Sequence, residues 1–99
     1  MSRLADLVTE ERRLQILSLL AESNAYTASV DVLHLVLGQM GLGVSHDRLA
    51  TDLEWLTEQE LVNLNRIGAV ATAEVSVRGL DVARGLARVP GVARPKPGV

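Results

Sequence analysis

Apolar residues recur at helical spacing through the first sixty positions of the chain. A first helix is predicted over about residues 10–22, where a broad apolar stripe comprises Leu14, Ile16, Leu17, Leu20 and Ala21. Thr9 is a candidate N-cap for it, and the two acids that follow suit the positive end of the helix dipole. Leu4, Leu7 and Val8 form a smaller apolar patch, which indicates either a separate N-terminal helix or a continuous lead-in to the first.

Two further helices are predicted, each beginning after a serine that can act as its cap. Ser29 precedes a helix over about 29–40, whose inward residues are predicted to be Val30, Leu33, Val36, Leu37 and Met40. Gly41 and Gly43 end it, since glycine commonly follows a helix C-terminus. Ser45 precedes a third helix, whose inner face is predicted to comprise Leu49, Leu53 and Leu56, with Ala50 and Trp55 flanking.

Beyond residue 60 the apolar period changes to two, which predicts strands. Val62 and Leu64 alternate with asparagines, and residues 70–77 show a second alternation with Ala71, Ala73, Val75 and Val77 on one side. Gly68 provides a turn, so the two strands are predicted to pair as a hairpin. Ser76 is the candidate cap of a last helix over about 79–87, with inward residues Leu80, Ala83 and Leu86.

Residues 88–99 contain all three prolines of the chain and are predicted to form an extended tail. We therefore expect one domain over residues 1–87, followed by a tail over 88–99. Three helices, a β-hairpin and a short last helix are the plan of a winged helix-turn-helix protein. That is an α+β fold, mainly α, in which the hairpin is the wing.

Composition excludes several kinds of site. The chain has no cysteine, and hence no disulfide, thiolate metal site or cysteine nucleophile. His34 and His46 fall on different helices without the clustering that indicates a metal site. Ser45-His46-Asp47 are consecutive, so their side chains diverge and do not form a catalytic triad. We expect no enzymatic activity, cofactor or metal.

Charge along the chain bears on nucleic-acid binding. The net charge is −2, and over residues 45–60 a single cation, Arg48, stands against five acids: Asp47, Asp52, Glu54, Glu58 and Glu60. Carboxylates near phosphate oppose the counterion release that gives most nonspecific DNA affinity. His46, Arg48 and Thr51 nevertheless lie at the N-terminal end of the third helix, where recognition helices contact bases, and Arg66 lies in the predicted wing.

Motifs in the second half of the chain resemble a known family. Residues 44–62 resemble the recognition-helix region of winged-helix repressors, and residues 75–83 resemble their Leu-Thr-x-x-Gly entry to the last helix. Over nearly its whole length, including Arg12-Arg13-Leu14 and Val89-Pro90-Gly91-Val92, the chain resembles small proteins of Mu-like phages and prophages, commonly labelled ArsR-like transcriptional regulators. Glu60 departs from the pattern, because many relatives have a glycine there.

The resemblance implies a phage- or prophage-encoded winged-helix regulator that binds double-stranded DNA, as a homodimer, in the cytoplasm of the bacterial host. His46, Arg48, Thr51 and Arg66 are then the DNA-binding candidates. Two other hypotheses stay open. One is a protein-interaction module that docks to a phage or host protein through Asp47, Asp52, Glu54 and Glu58, and the other is a purely structural oligomer.

Self-association has its own candidate residues near the two ends of the chain. They are Leu4 and Leu7 at the start, and the cations of the tail, Arg88, Arg94 and Lys96. The basic tail of one subunit can pack along the acidic surface of a neighbour, which gives an oligomer, or it can grasp DNA. The remaining alternative is a solvated tail. No apolar stretch approaches the length of about 18 residues that spans a membrane, and no secretory signal is expected because Asp6 precedes any apolar run.

Overall fold

The computed structural model describes residues 3–96, which contain four α-helices and three β-strands. In chain order the elements are α1 (Arg3–Glu22), a 3-10 turn (Asn24–Tyr26), β1 (Thr27–Ser29), α2 (Val30–Gln39), α3 (His46–Glu58), β2 (Val62–Ile67), β3 (Val70–Val75) and α4 (Val77–Ala83). The chain is thus α+β with mainly helical content, as the periodicities predict.

Three serines begin the shorter helices, as predicted from the sequence. The side-chain oxygens of Ser29, Ser45 and Ser76 each accept a hydrogen bond from a backbone N–H of the first turn of α2, α3 and α4. Thr9, by contrast, is not a cap, because α1 runs without interruption from Arg3 to Glu22. The apolar patch at residues 4–8 is therefore a continuous extension of the first helix.

The sheet contains one strand that the sequence did not predict. β1 pairs antiparallel with β3, and β3 pairs antiparallel with β2, which gives the order β1-β3-β2. β2 and β3 pair as a hairpin, as predicted, and their register places Val62 opposite Val75 and Ile67 opposite Val70. β1 has only three residues between a 3-10 turn and a helix cap, too few to show an alternation.

The core is aliphatic and lies where α1, α2 and α3 meet the sheet. Its fully buried members include Ile16, Leu17 and Leu20 of α1, Leu33 and Leu37 of α2, and Leu49, Leu53 and Leu56 of α3. Val62, Ala73 and Val75 close it from the sheet side. These residues are the ones that helical and strand spacing place on the inner faces.

Four apolar residues predicted to face inward are exposed. Met40 caps the end of α2, and Leu64 lies on the open face of β2. Val77 begins α4 and does not continue β3, so its side chain is 77% exposed. Leu86 is 76% exposed because α4 ends at Ala83, short of the predicted residue 87.

The C-terminal segment has no helix or strand from residue 88 to 96, yet it packs on the domain. Val89 and Val92 are buried in the core, and the Ala93 N–H donates a hydrogen bond to the carbonyl of Glu10 at 3.1 Å. The solvated-tail interpretation is therefore wrong for residues 89–93. Arg88, Arg94 and Lys96 are exposed.

The arrangement of α2, α3 and the β2–β3 hairpin is compatible with a winged helix. A glycine-containing turn separates α2 from α3, with Gly41 at φ +80°, and the hairpin follows α3 directly. Within residues 3–96, no helix is both long and apolar enough to cross a membrane.

Candidate nucleic-acid interface

Asp52, on the inner side of α3, is buried and is held by two arginines of α1. Arg12 Nε donates a hydrogen bond to Asp52 Oδ2 at 2.6 Å, and Arg13 Nε donates to Asp52 Oδ1 at 3.3 Å. The prediction that Asp52 contacts a partner is therefore wrong. Asp52 lies three residues after Leu49 and four before Leu56, on the helix row that α3 buries.

Arg13 also connects α1 to the C-terminal segment. Its guanidinium carbon lies 4.0 Å from the centre of the Trp55 ring, and its Nη1 donates to the Gly91 carbonyl at 3.1 Å. Gly91 has φ +99°, and a Cβ there would lie 2.7 Å from a Trp55 ring carbon. Only glycine therefore fits against this face of the tryptophan.

Arg48 extends from α3 toward α1 and shares a hydrogen-bond acceptor with Arg12. Arg48 Nη2 donates to Thr9 Oγ1 at 3.1 Å, and Arg12 Nη2 donates to the same oxygen at 3.4 Å. Arg12 is 3% exposed, whereas Arg48 is exposed. Thr9, predicted as a helix cap, is instead the bridge between α1 and α3.

These contacts change the local charge that surrounds the N-terminal half of α3. Arg12, Arg13 and Arg48 stand here against two carboxylates, those of Asp47 and the buried Asp52. Within these five side chains the cations exceed the carboxylates by one, whereas residues 45–60 taken along the sequence are strongly acidic. The arginines that α1 contributes lie outside residues 45–60, so the charge of that segment does not include them.

The other two α3 candidates lie beside this cluster. The His46 ring stacks on His34 of α2, with ring centroids 3.8 Å apart and an interplanar angle of 14°. His34 Nε2 donates to the Val44 carbonyl at 2.8 Å, which ties α2 to the residues that precede α3. Thr51 Oγ1 donates to the Asp47 carbonyl at 3.0 Å, and Thr51 is exposed. The sequence had not predicted that the two histidines meet.

A groove of about 310 Å³ lies between α3 and the β2–β3 hairpin. Ala50 and Glu54 line it from α3, and Asn65 and Arg66 line it from β2. Arg66 thus lies where predicted, on the hairpin beside α3. The cation of Arg66 and the acid of Glu54 share one groove, so they partly offset each other.

The tip of the hairpin is apolar. Ile67 is 81% exposed and Val70 is 56% exposed, and Gly68 occupies the turn between them with φ +61°. Glu58 and Glu60 are exposed at the far end of α3. This candidate surface therefore has an excess of cations at the start of α3, and it is acidic and apolar at the hairpin and the end of α3.

The predicted self-association residues lie on different parts of the surface. Leu4 is 69% exposed and Leu7 is 50% exposed, both on the first turns of α1. Arg94 and Lys96 line a surface depression together with Arg84 of the α4 end. Within residues 3–96, no three His, Cys, Asp or Glu side chains come together as a group that could hold a metal ion.

Comparison with known proteins places the chain among phage proteins. It is 40% identical over 92 residues to "Uncharacterized protein gp26" of Escherichia phage Mu, an alignment that covers 93% of this chain and 95% of the Mu protein. It is 34% identical over 62 residues to an "Uncharacterized protein" of Haemophilus influenzae, covering 63% of this chain and 60% of that one.

No protein-family model and no solved structure matches the chain. Neither relative's name states a fold or an activity, so the regulator label stays a prediction. The match to the Mu protein extends along almost the whole of both chains, as the resemblance to Mu-like phage proteins predicted. This chain therefore belongs to the family of the phage Mu gp26 protein.

Proposed function

We propose that the chain is a winged-helix protein that binds double-stranded DNA and regulates transcription of the phage genome in the bacterial host cell. In this proposal α3 is the recognition helix and the β2–β3 hairpin is the wing. The observation that carries it is the positive local charge at the start of α3, where Arg12 and Arg13 neutralise Asp52. In helix-turn-helix proteins, the N-terminal end of the recognition helix is the end that contacts DNA.

The exposed side chains at this end suit contact with a duplex. Arg48, Thr51 and His46 are exposed on the first two turns of α3, and Ala50 beside Thr51 adds no bulk. Small and hydroxylated residues allow close approach to base edges, while arginine binds guanine edges or phosphates. Arg66 lines the groove between α3 and the hairpin, and in this proposal it contacts the DNA backbone.

The proposal is tested by replacing the two cations that face the duplex. Binding of a fluorescent duplex from the gene's own upstream region is measured by anisotropy at low salt. We expect Arg48→Ala and Arg66→Ala each to weaken binding about tenfold or more, since a lost arginine contact costs about 1–3 kcal/mol. Arg78→Ala, an exposed arginine of α4, is the matched control and leaves binding unchanged.

A second function is favoured by the apolar hairpin tip. Ile67 and Val70 are large, exposed and uncharged, and Glu54 and Glu58 lie on the α3 side. Such a surface suits a protein partner with a basic rim, for example a phage assembly or packaging factor. In that case Glu54→Lys or Glu58→Lys abolishes partner binding, and Arg48→Ala has no effect on DNA retention because DNA is not retained.

A further inference from the structure

The hydroxyl of Thr9 accepts hydrogen bonds from two guanidinium groups that come from different helices. Arg12 reaches it along α1, and Arg48 reaches it from α3. A hydroxyl oxygen is a neutral acceptor, so it accepts hydrogen bonds from both guanidinium groups without neutralising either charge. The two arginines are thereby held close together although they repel each other.

The available counter-charge does not balance this cluster. Asp52 is shared between Arg12 and Arg13, and these two are the ion pairs that occur within residues 3–96. Arg48 therefore has no carboxylate within 4.0 Å in that part of the chain. Asp52 is the carboxylate paired within this group, and Asp47 precedes Arg48 at the start of α3, so the three arginines exceed these two carboxylates by one charge.

The cluster is both rigid and open on one side. Arg12 is buried and its Nε is fixed by the 2.6 Å bond to Asp52, so its Nη2 is held in place. Thr9 is half-buried and Arg48 is exposed, so the front of the cluster faces solvent. A guanidinium group presents its N–H donors in a planar fork that matches the oxygens of phosphate or carboxylate.

We propose that Arg12, Arg48 and Thr9 form an oxyanion site that takes a phosphate of the DNA backbone beside α3. The choice of a DNA phosphate as the source rests on the proposed function. The proposed site assigns Arg48 to a phosphate of the DNA backbone, whereas the sequence predicted that Arg48 contacts a base edge. The reason is that the Arg48 side chain is directed to α1 and lies at the flank of α3.

The site is tested first without DNA, on the full chain with inorganic phosphate as the probe. The Nε–H NMR signals of the arginines are followed while phosphate replaces chloride at constant ionic strength. We expect saturable shifts for Arg12 and Arg48, and no saturable shift for Arg78 or Arg88. A shift common to all arginines, or none at all, overturns the site.

Variants then distinguish phosphate binding at this site from nonspecific attraction of phosphate to the positive charge of the protein. Arg48→Ala is expected to weaken phosphate binding at least tenfold, as seen at the Arg12 signal, while the matched Arg78→Ala leaves it unchanged. Equal affinity in both variants contradicts the proposal. Because Arg48 is exposed, its replacement keeps the buried Arg12–Asp52 pair and the fold.

The source of the oxyanion is separated by a duplex titration in salt. If a DNA phosphate occupies the site, Arg48→Ala lowers the slope of log affinity against log salt by about one. If inorganic phosphate binds but no duplex does, the proposed function fails and so does the assignment to DNA. The site itself then stands only as one that binds free phosphate.

Discussion

At the scale of single residues, the carboxylate of Asp52 is shared by Arg12 and Arg13, and helical spacing accounts for its position. Arg12 lies four residues before Ile16 and eight before Leu20, on the row of α1 that is buried. A buried arginine requires a paired carboxylate. Asp52 is the buried carboxylate on the facing helix, so the pair joins α1 to α3.

Removing the charge of Asp52 tests that role. Asp52→Asn keeps the size of the side chain but leaves Arg12 buried without an anion, so we expect the free energy of unfolding to fall by about 3 kcal/mol. Urea denaturation followed by the fluorescence of Trp55 measures it. Glu58→Gln removes the same charge from the exposed face of α3, and a loss of equal size there would contradict the assigned role.

Part of this cluster could be predicted from the sequence and part could not. Helical spacing is consistent with the buried positions of Arg12 and Asp52, but the sequence predicted Asp52 as a partner-binding acid and no buried role for Arg12. The contact between Arg13 and Gly91 joins residues 78 positions apart, and no periodicity in the sequence indicates it. Nor does local spacing show that Arg48 meets Thr9, 39 positions away.

At the scale of elements, the end of α3 is a left-handed turn built without glycine. Glu60 has φ +62°, its N–H donates to the Thr57 carbonyl, and the Leu61 N–H donates to the Leu56 carbonyl. This is the hydrogen-bond pattern of a Schellman motif, which usually has glycine at the left-handed position. The glycine expected there from the family resemblance is explained by this geometry.

Replacing Glu60 tests the strain at this turn. Glu60→Gly should raise the free energy of unfolding by about 1 kcal/mol, because the left-handed conformation costs a residue with a Cβ about that much. The urea midpoint measures it. Glu54→Gly, in the regular part of α3, is the control and should lower the midpoint. A lower midpoint for Glu60→Gly contradicts the strain.

The sequence predicted the elements with strong local signals and missed the weak ones. Serine caps and the glycine at position 41 mark helix ends by chemistry that acts within a few residues. β1 gains its hydrogen bonds from β3, more than forty residues later, so its three residues carry no signal of their own. Likewise, Leu86 fits the helical period of the predicted last helix, but α4 ends at Ala83 and does not include it.

At the scale of the whole molecule, the first turns of α1 carry an unpaired apolar stripe. Leu4, Leu7 and Val8 are exposed there. If two α1 helices pair antiparallel about Leu7, Arg3 of one copy lies opposite Glu11 of the other, which makes the contact self-complementary. We propose that the chain forms a homodimer through this stripe, which would present two α3 helices to DNA.

Replacing Leu7 tests the proposed dimer. Leu7→Lys introduces a charge at the centre of the contact, so the variant should sediment as a monomer at concentrations where the unmodified chain is a dimer. Its unfolding midpoint at low concentration should stay the same, because Leu7 is half-exposed in the single chain. Val77→Lys, an exposed apolar position on α4, is the control. Equal sedimentation of all three proteins contradicts this contact.

The distribution of charge over the folded molecule is the ground on which we propose DNA, and not a protein, as the partner. Along the sequence the third helix is acidic, and only in three dimensions do Arg12 and Arg13 join Arg48 at its start. The measurement that tests this most directly is binding of the purified chain to a duplex of its own upstream region and to a random duplex, titrated in salt. DNA binding predicts that affinity falls steeply with salt and is tighter for the upstream duplex. No retention of either duplex at the lowest salt would contradict it.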